Sequence, residues 1–138
     1  MEEIFSMTAV QKQEEDLLEV CNGESARFGL MLTRSDMLEL EQSRREALCA
    51  SGRIEFGGGV LPRLVRAFCD SPYILQEDYA ETLGQLQEVF YQCKTECAGS
   101  LTDDELIAVM AEQFNGRARG SVGYLAGTSL EELIRGCG

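Results

Sequence analysis

One helix-length stretch in the second half of this sequence carries an unbroken apolar face. Its members recur at alternating intervals of four and three positions, as Tyr79, Leu83, Leu86, Phe90, Cys93 and Cys97. Because an α-helix turns once every ~3.6 residues, this spacing lines them along one side of a helix. A face of this length must be covered, so we expect a long central helix within an all-α fold.

Two helices are predicted in the first half of the chain. The apolar period over residues 8–21 predicts the first, with Asn22-Gly23 as its C-terminal stop. Thr33 predicts the N-cap of the second, with Asp36 in the capping-box position, and Ser51-Gly52 predicts its end. The residues expected to be buried on this second helix are Met37, Leu40, Ala47 and Leu48.

Three further helices are predicted around and after the central one. An apolar stripe over residues 60–68 predicts a short helix before it. Residues 102–105 form a capping box that opens the next helix. The glycine-rich span 120–127 predicts a weak helix at most, and Thr128 with Glu131 predicts the N-cap of a final short helix.

Length and composition indicate one domain. The chain has 138 residues, of which 44% are hydrophobic and 26% are charged, as in ordinary globular proteins. Residues 53–56 are the only candidate strand, and the sequence has no repeat or second core. We therefore predict a single helical domain over residues 1–138, with residues 1–7 expected to fray. Its architecture is a bundle of roughly six helices with a glycine-rich central loop.

The charge balance argues against nucleic acid as a partner. Lys and Arg number 12 and Asp and Glu number 24, so the formal net charge is −12. Phosphate backbones are bound by surfaces rich in Lys and Arg. Residues 27–69 are less acidic, with seven arginines against five acids, a net charge of +2. That region is expected either to meet an anionic ligand or acidic partner, or to present solvated helix faces.

The sequence also predicts a cytoplasmic protein that is not inserted in a membrane. No apolar run is long enough to span a bilayer, and the acidic start Met1–Ile4 is unlike a signal peptide. The six cysteines are scattered without a CxxC pair. In the cytoplasm we expect them as reduced thiols rather than a disulfide framework.

No catalytic, metal or cofactor site is predicted, and the chain is expected not to be an enzyme. It contains no histidine, which removes the commonest general base and metal ligand. Cys93 and Cys97 fall on the apolar face and are expected to pack in the core. Residues 103–105 suit the first turn of a helix, where the helix dipole favours carboxylates. An enzyme that uses Cys69 or Asp70 is the third and least favoured hypothesis.

The stretch from Gly52 to Tyr73 is the best candidate for a binding site. Three consecutive glycines precede a helix start, where backbone N–H groups can face an anion. Equally, the glycines can serve a left-handed backbone or a close helix approach. Arg66 is expected to pair with Asp70 at four residues' distance. The candidate binding residues are Arg53, Glu55, Gly57, Gly58, Gly59, Arg63, Arg66, Asp70 and Tyr73.

Three stretches carry a resemblance to a known family: GRIEFGGG at 52–59, FCDSPY at 68–73 and DDELI at 103–107. The sequence resembles a family of small bacterial proteins that is known only as a domain of unknown function. The likeness covers most of the chain, and its first two stretches are the distinctive ones. The resemblance implies a cytoplasmic bacterial origin and a stand-alone domain, and it assigns no activity or catalytic residue.

These observations lead to two hypotheses of different classes. The first is a non-enzymatic interaction or regulatory module that docks a partner through the 53–73 surface. The second is a sensor of a small anionic metabolite at the three glycines. The expected partner is an unknown protein or a second copy of this chain, because an apolar face can cover either its own core or a twin subunit.

Overall fold

A computed structural model describes residues 9–55, 59–97 and 100–137, and within these ranges it is all-α with no β-strand. The all-α prediction is therefore confirmed. The predicted fraying of residues 1–7 concerns a segment outside the described residues. The α-helices of eight residues or more in the described ranges are α1 (Ala9–Ser25), α2 (Arg34–Ser51), α3 (Leu61–Phe68), α4 (Tyr79–Cys97), α5 (Asp103–Asn115) and α6 (Leu130–Cys137).

The central helix is α4, and its apolar face is buried as predicted. All six residues of that face lie in one core cluster. The longest shared interface of α4 is with α2, while α1 packs on α3 and α3 packs on α5. Phe68 of α3 meets Phe114 of α5 edge to face, with ring centroids 5.3 Å apart. Every other helix thus contributes side chains to the core that contains the α4 face.

Both predicted capping boxes are present. The Thr33 hydroxyl accepts a hydrogen bond from the Asp36 N–H, and the Asp36 carboxylate accepts one from the Thr33 N–H. Thr102 and Glu105 make the same exchange at the start of α5. Helix α2 ends at Gly52, which adopts a left-handed φ of 71°. These local signals fix where α2 begins and ends and where α5 begins.

The predicted stop at Asn22-Gly23 is wrong, because α1 continues to Ser25. The Asn22 amide is used elsewhere: it accepts from the Leu32 N–H at 2.8 Å and donates to the Leu32 carbonyl at 3.0 Å. The chain reverses after the 3₁₀ turn Ala26–Phe28, at Gly29, where φ is +80°. Long-range hydrogen bonding has therefore overridden a local stop signal.

One prediction in a later segment is also wrong, and the candidate strand at 53–56 forms no sheet over its described residues. Thr128 does not cap a new helix, because the helical turn Val122–Tyr124 runs through the π-helical turn Leu125–Ser129 directly into α6. The buried side chains of Leu125 and Leu130 hold this glycine-rich span against the core. Residues 53–55 are extended but pair with no strand in the described chain.

No helix within the described ranges combines the length and the apolar character that crossing a bilayer requires.

Candidate functional site

The extended segment 53–55 is fixed to the bundle by a buried ion-pair network centred on Glu55. One Glu55 oxygen accepts hydrogen bonds from Arg44 Nε at 3.1 Å and from the Tyr91 hydroxyl at 2.6 Å. The other oxygen accepts a hydrogen bond from Arg53 Nε at 2.8 Å. Since 6% of the Glu55 side chain is exposed, these three donors replace the water that its carboxylate loses on folding.

Asp103 extends the network to the first turn of α5. Its Oδ2 accepts a hydrogen bond from Arg53 Nη2 at 2.7 Å, and its Oδ1 lies 3.2 Å from Lys94 Nζ. Burial raises the pKa of Asp103, but the hydrogen bonds from Arg53 and Lys94 outweigh burial, so its pKa is lowered overall. The segment 53–55 is thus tied to α2, α4 and α5 at once.

Arg44 carries the network onto the core face of α2. Its Nη1 donates to Glu41 Oε1 at 3.0 Å, one helical turn earlier, and both side chains are buried. Burial raises the pKa of Glu41, and Arg44 opposes this shift only in part. The second carboxylate oxygen of Glu41 has no hydrogen-bond partner among the described residues. The charge of Arg44 is therefore compensated by Glu41 and Glu55 together.

Gly59 lies against the same network. Its φ of +61° lies in the left-handed region, which favours glycine. A Cβ added here would collide with the Glu55 carboxylate and lie 2.8 Å from Arg44 Nε. Glycine is therefore required at position 59 for both backbone conformation and space. Gly57 and Gly58 lie outside the described residues, so their predicted roles stay predictions.

A cavity of about 270 Å³ lies beside the network. Arg63 stands at its rim, half exposed, with Nη1 3.6 Å from Asp104 Oδ1 and 3.8 Å from Asp103 Oδ2. The structure brings four of the predicted site residues together here, and a binding role for them stays a prediction. The residues that line the cavity are Arg53, Glu55, Gly59, Val60, Arg63 and Asp103.

Two further candidates, Arg66 and Asp70, lie outside this cavity. Arg66 Nη2 lies 3.5 Å from Glu24 Oε1 on α1, so the expected pairing of Arg66 with Asp70 is replaced by a contact between helices. Asp70 is exposed. The neighbouring Cys69 thiol is buried, and burial raises its pKa above the ordinary cysteine value. A thiol in these surroundings is mostly protonated at neutral pH.

Tyr73, the last candidate, packs on the end of the bundle. Its ring meets Phe114 edge to face, with the centroids 6.4 Å apart. Its Cγ lies 2.7 Å from where a Cβ on Gly120 would be, and Gly120 has a φ of +82°. Tyr73 therefore serves the packing of the 68–73 stretch onto α5 and onto the turn that follows it.

Residues 17–137 match a family model described as a family of unknown function, DUF6323. The chain belongs to this family. No curated protein and no solved structure gives a significant match to the chain. The family match assigns no site residue to the chain.

Much of the distinctive sequence of this DUF6323 chain is explained by packing. In the 52–59 stretch, Gly52 caps α2, Arg53 and Glu55 enter the network, and Gly59 packs on it. Ile54 has no such role, and 79% of it is exposed. Successive side chains of an extended segment point to opposite sides. The inward anchoring of its two neighbours therefore holds Ile54 outward.

Reasoning from the sequence missed the network residues of the helices. Arg44 continues the apolar spacing of Met37 and Leu40 on α2, at intervals of three and four. A charged residue on an otherwise apolar stripe needs a buried partner of opposite charge, and this was the available signal. Tyr91 gave no such signal, because its partner Glu55 lies 36 residues away in the chain. Lys94 gave none because its contact with Asp103 depends on how the next helix, α5, packs against α4.

The network holds the segment 53–55 in place, because its acidic side chains are paired with its basic ones. Each Glu55 oxygen already accepts a hydrogen bond, and the Asp103 carboxylate lies between two cations. Burial and the hydrogen bond to Glu55 raise the pKa of Tyr91, so its hydroxyl stays protonated at neutral pH. Within the described ranges, no group of three or more Cys, Asp or Glu side chains is placed to hold a metal ion.

Proposed function

We propose that this chain is a non-enzymatic interaction module that binds a partner protein through the 53–73 surface, with Ile54 at its centre. The observation that carries the proposal is a highly exposed isoleucine between two anchored residues. A monomer gains nothing from exposing a large aliphatic side chain on a fixed segment. A partner that covers Ile54 gains about 2 kcal/mol from its burial.

The anchoring of Arg53 and Glu55 supports this proposal on energetic grounds. Binding by a mobile loop loses conformational entropy, which subtracts from the affinity. Here the ion-pair network holds the segment 53–55 against α2, α4 and α5 before any partner arrives. A partner therefore meets a preorganised apolar anchor.

The surroundings of the anchor have the polarity that a protein interface needs. Arg63 and Asp104 are both exposed and lie next to the Arg53 and Asp103 pair. Interfaces combine an apolar centre with a polar, solvent-accessible rim. We propose that Ile54 supplies the centre and that these charged groups, which contact the side of the segment that Arg53 occupies, lie toward the rim. Such a surface favours a partner with an apolar pocket and polar groups around it.

The alternative, an anion sensor at residues 57–59, has weaker support. A sensor needs arginines whose charge is available to the ligand. Arg53 donates to Glu55 and Asp103, and Arg63 faces Asp103 and Asp104, so the charge of both arginines is already matched by carboxylates.

We further propose that the protein acts in the bacterial cytoplasm. The family resemblance supports this location, as do cysteines that form no CxxC pair.

The test compares Ile54→Ser with the unmodified chain in a pull-down from cells of the source organism. We expect the variant to lose at least about tenfold in partner affinity, because an interface anchor contributes 1.4 kcal/mol or more. Its thermal transition should stay within ~2 °C of the unmodified chain, since an exposed side chain contributes little to stability.

Val20→Ser is the matched control, because Val20 is also an exposed aliphatic residue but lies on α1. It should capture the partner as well as the unmodified chain does. Light scattering on the purified chain shows whether the partner is a second copy. Equal capture by Ile54→Ser and Val20→Ser would show that the 53–73 surface is not the docking site.

A further inference from the structure

Two cavities lie along the junction of α2 and α4, and Glu88 lines both. Their volumes are about 710 and 290 Å³. The two cavities meet at Glu88, and the surface that they occupy together is called the α2–α4 groove. It is lined by α2 from Asp36 to Ser51, by residues 76–78 just before α4, and by α4 from Ala80 to Glu96.

The two helices that form the groove run parallel. Near its beginning, Leu40 of α2 accepts a hydrogen bond from the Gln87 amide and touches the site of a Gly84 Cβ at 3.7 Å. Near its end, Ser51 of α2 lies opposite Thr95 of α4. The residue numbers rise together on both helices, so the groove follows them for about four turns, roughly 22 Å.

The floor of the groove is made of small and apolar side chains. Ser43 and Ala47 lie one turn apart on α2, and Ala80 and Gly84 lie one turn apart on α4. The larger apolar groups, Leu40 among them, lie below this floor and are buried. Small residues leave a shallow channel between neighbouring helices, into which the ridge of a third helix can pack.

The rim of the groove is strongly acidic. No Lys or Arg stands among its described lining residues, and no ion pair in the described chain involves its acids. The helix dipole accounts for Asp36 and Glu81, which lie in first turns, but not for Glu39 or Glu88 further along. The carboxylates that line the groove are Asp36, Glu39, Glu77, Asp78, Glu81, Glu88 and Glu96.

We infer that the α2–α4 groove binds an amphipathic helix of a partner protein, with a narrow apolar face flanked by lysine and arginine. The apolar face suits the floor, where the side chains of Ala47 and Ala80 are small and apolar, and the basic flanks complement the carboxylates on the rim. A helix laid in a groove is an established mode of peptide recognition. The length of the groove fits a helix of about 15 residues.

This inference concerns a different surface from the one around Ile54. Ile54 lines neither cavity of the groove. One partner can occupy either surface alone, so a negative result at one leaves the other proposal intact.

The experiment measures binding of a fluorescein-labelled amphipathic peptide of about 16 residues, built from Leu, Ala and Lys, by fluorescence anisotropy at physiological ionic strength. The groove variant Glu39→Gln/Glu81→Gln/Glu88→Gln should weaken binding by about tenfold, because three carboxylates that face the basic flanks are lost. Ala50→Trp should weaken it similarly by filling the channel without changing the charge. Ile54→Ser should leave the affinity unchanged.

The control Asp16→Asn/Glu19→Gln/Glu112→Gln raises the net charge by the same three units at exposed positions outside the groove. It should change the affinity by less than about twofold. Amide NMR shifts of the unmodified chain, measured on titration with the same peptide, should move at Ser43 and Ala47. Equal weakening in both triple variants, unsaturable binding, or shifts confined to other helices would overturn the inference.

Discussion

Gly59 is the residue at which both the backbone and the space around it require glycine. Its backbone is left-handed, and its missing side chain leaves room for the Glu55 carboxylate and the Arg44 guanidinium. Gly52, seven residues earlier, shares the left-handed backbone, with φ of +71°, but an added Cβ there meets nothing within 4 Å. An alanine at position 52 would therefore suffer only backbone strain, whereas an alanine at position 59 would suffer both backbone strain and steric collision.

We predict that Gly59→Ala lowers the free energy of unfolding by more than Gly52→Ala does. Gly52→Ala should cost about 1–2 kcal/mol, the price of a left-handed alanine. Gly59→Ala should cost a further 1–3 kcal/mol or so, because its Cβ displaces the network. Urea denaturation of both variants measures the difference. Equal losses would mean that the network yields to the added methyl group without cost.

At the same scale, the sequence indicates a need for glycine without saying which need. Left-handed backbone, close approach and anion binding are all compatible with three consecutive glycines. Gly59 meets the first two conditions. A Cβ at position 59 would meet the carboxylate of nearby Glu55 first and then Arg44 of α2, and no local pattern reveals that Gly59 and Arg44 meet.

At the scale of elements, Glu55 is the junction of three helices. It receives Arg44 from α2 and Tyr91 from α4, and it shares Arg53 with Asp103 of α5. Burying a charged side chain is costly unless it is paired with a group of opposite charge. Removing Glu55 therefore takes one partner from each of Arg44 and Arg53, and the unpaired charge destabilises the fold.

We predict that Glu55→Ala lowers the free energy of unfolding by about 3 kcal/mol, because buried Arg44 is left with Glu41 alone. Glu46→Ala is the control, since Glu46 is exposed on α2 and has no ion pair among the described residues. It should change stability by less than ~0.5 kcal/mol. Chemical denaturation of both variants tests this. A loss under 1 kcal/mol for Glu55→Ala would contradict a structural role for the network.

The elements themselves could largely be predicted, because their signals are local. Thr33 with Asp36, Thr102 with Glu105, and the α4 face depend on residues within one or two turns. The network could not, because its partners are 11, 36 and 50 residues apart in the Arg44–Glu55, Tyr91–Glu55 and Arg53–Asp103 pairs. Such pairs become visible only when the order of helix packing is known.

At the scale of the whole molecule, the net charge of −12 is arranged unevenly. Most arginines of the 27–69 region face carboxylates, whereas the acids of the α2–α4 groove face solvent. The positive balance of residues 27–69 is therefore largely neutralised by acids from outside the region, such as Asp103. Among the carboxylates without an ion pair in the described chain are those that line the α2–α4 groove.

The pairing of Asp103 with Arg53 and Lys94 makes the stability of the fold depend on pH in the acid range. Asp103 has a lowered pKa in the folded chain, so it binds fewer protons there than in the unfolded chain near its ordinary pKa of 3.8. Its contribution to stability is present above that pH and is lost as the pH falls through the lowered value. Glu41, whose pKa is raised by burial, contributes in the opposite direction.

We predict that Asp103→Asn is less stable than the unmodified chain at pH 7 and that the two converge as the pH falls below about 4. Glu41 is unchanged in both chains, so the difference between them isolates Asp103. Thermal unfolding between pH 7 and pH 3 measures it. A constant difference across this range would show that the carboxylate charge of Asp103 does not stabilise the fold.

The anchored segment 53–55 is proposed to present Ile54 to a partner protein. The most direct test replaces Ile54 by the photo-reactive residue benzoylphenylalanine in living cells of the source organism. Irradiation should give one discrete cross-linked species from position 54 and none from position 20 on α1. No cross-linked species at position 54, or the same species at both positions, would contradict the account.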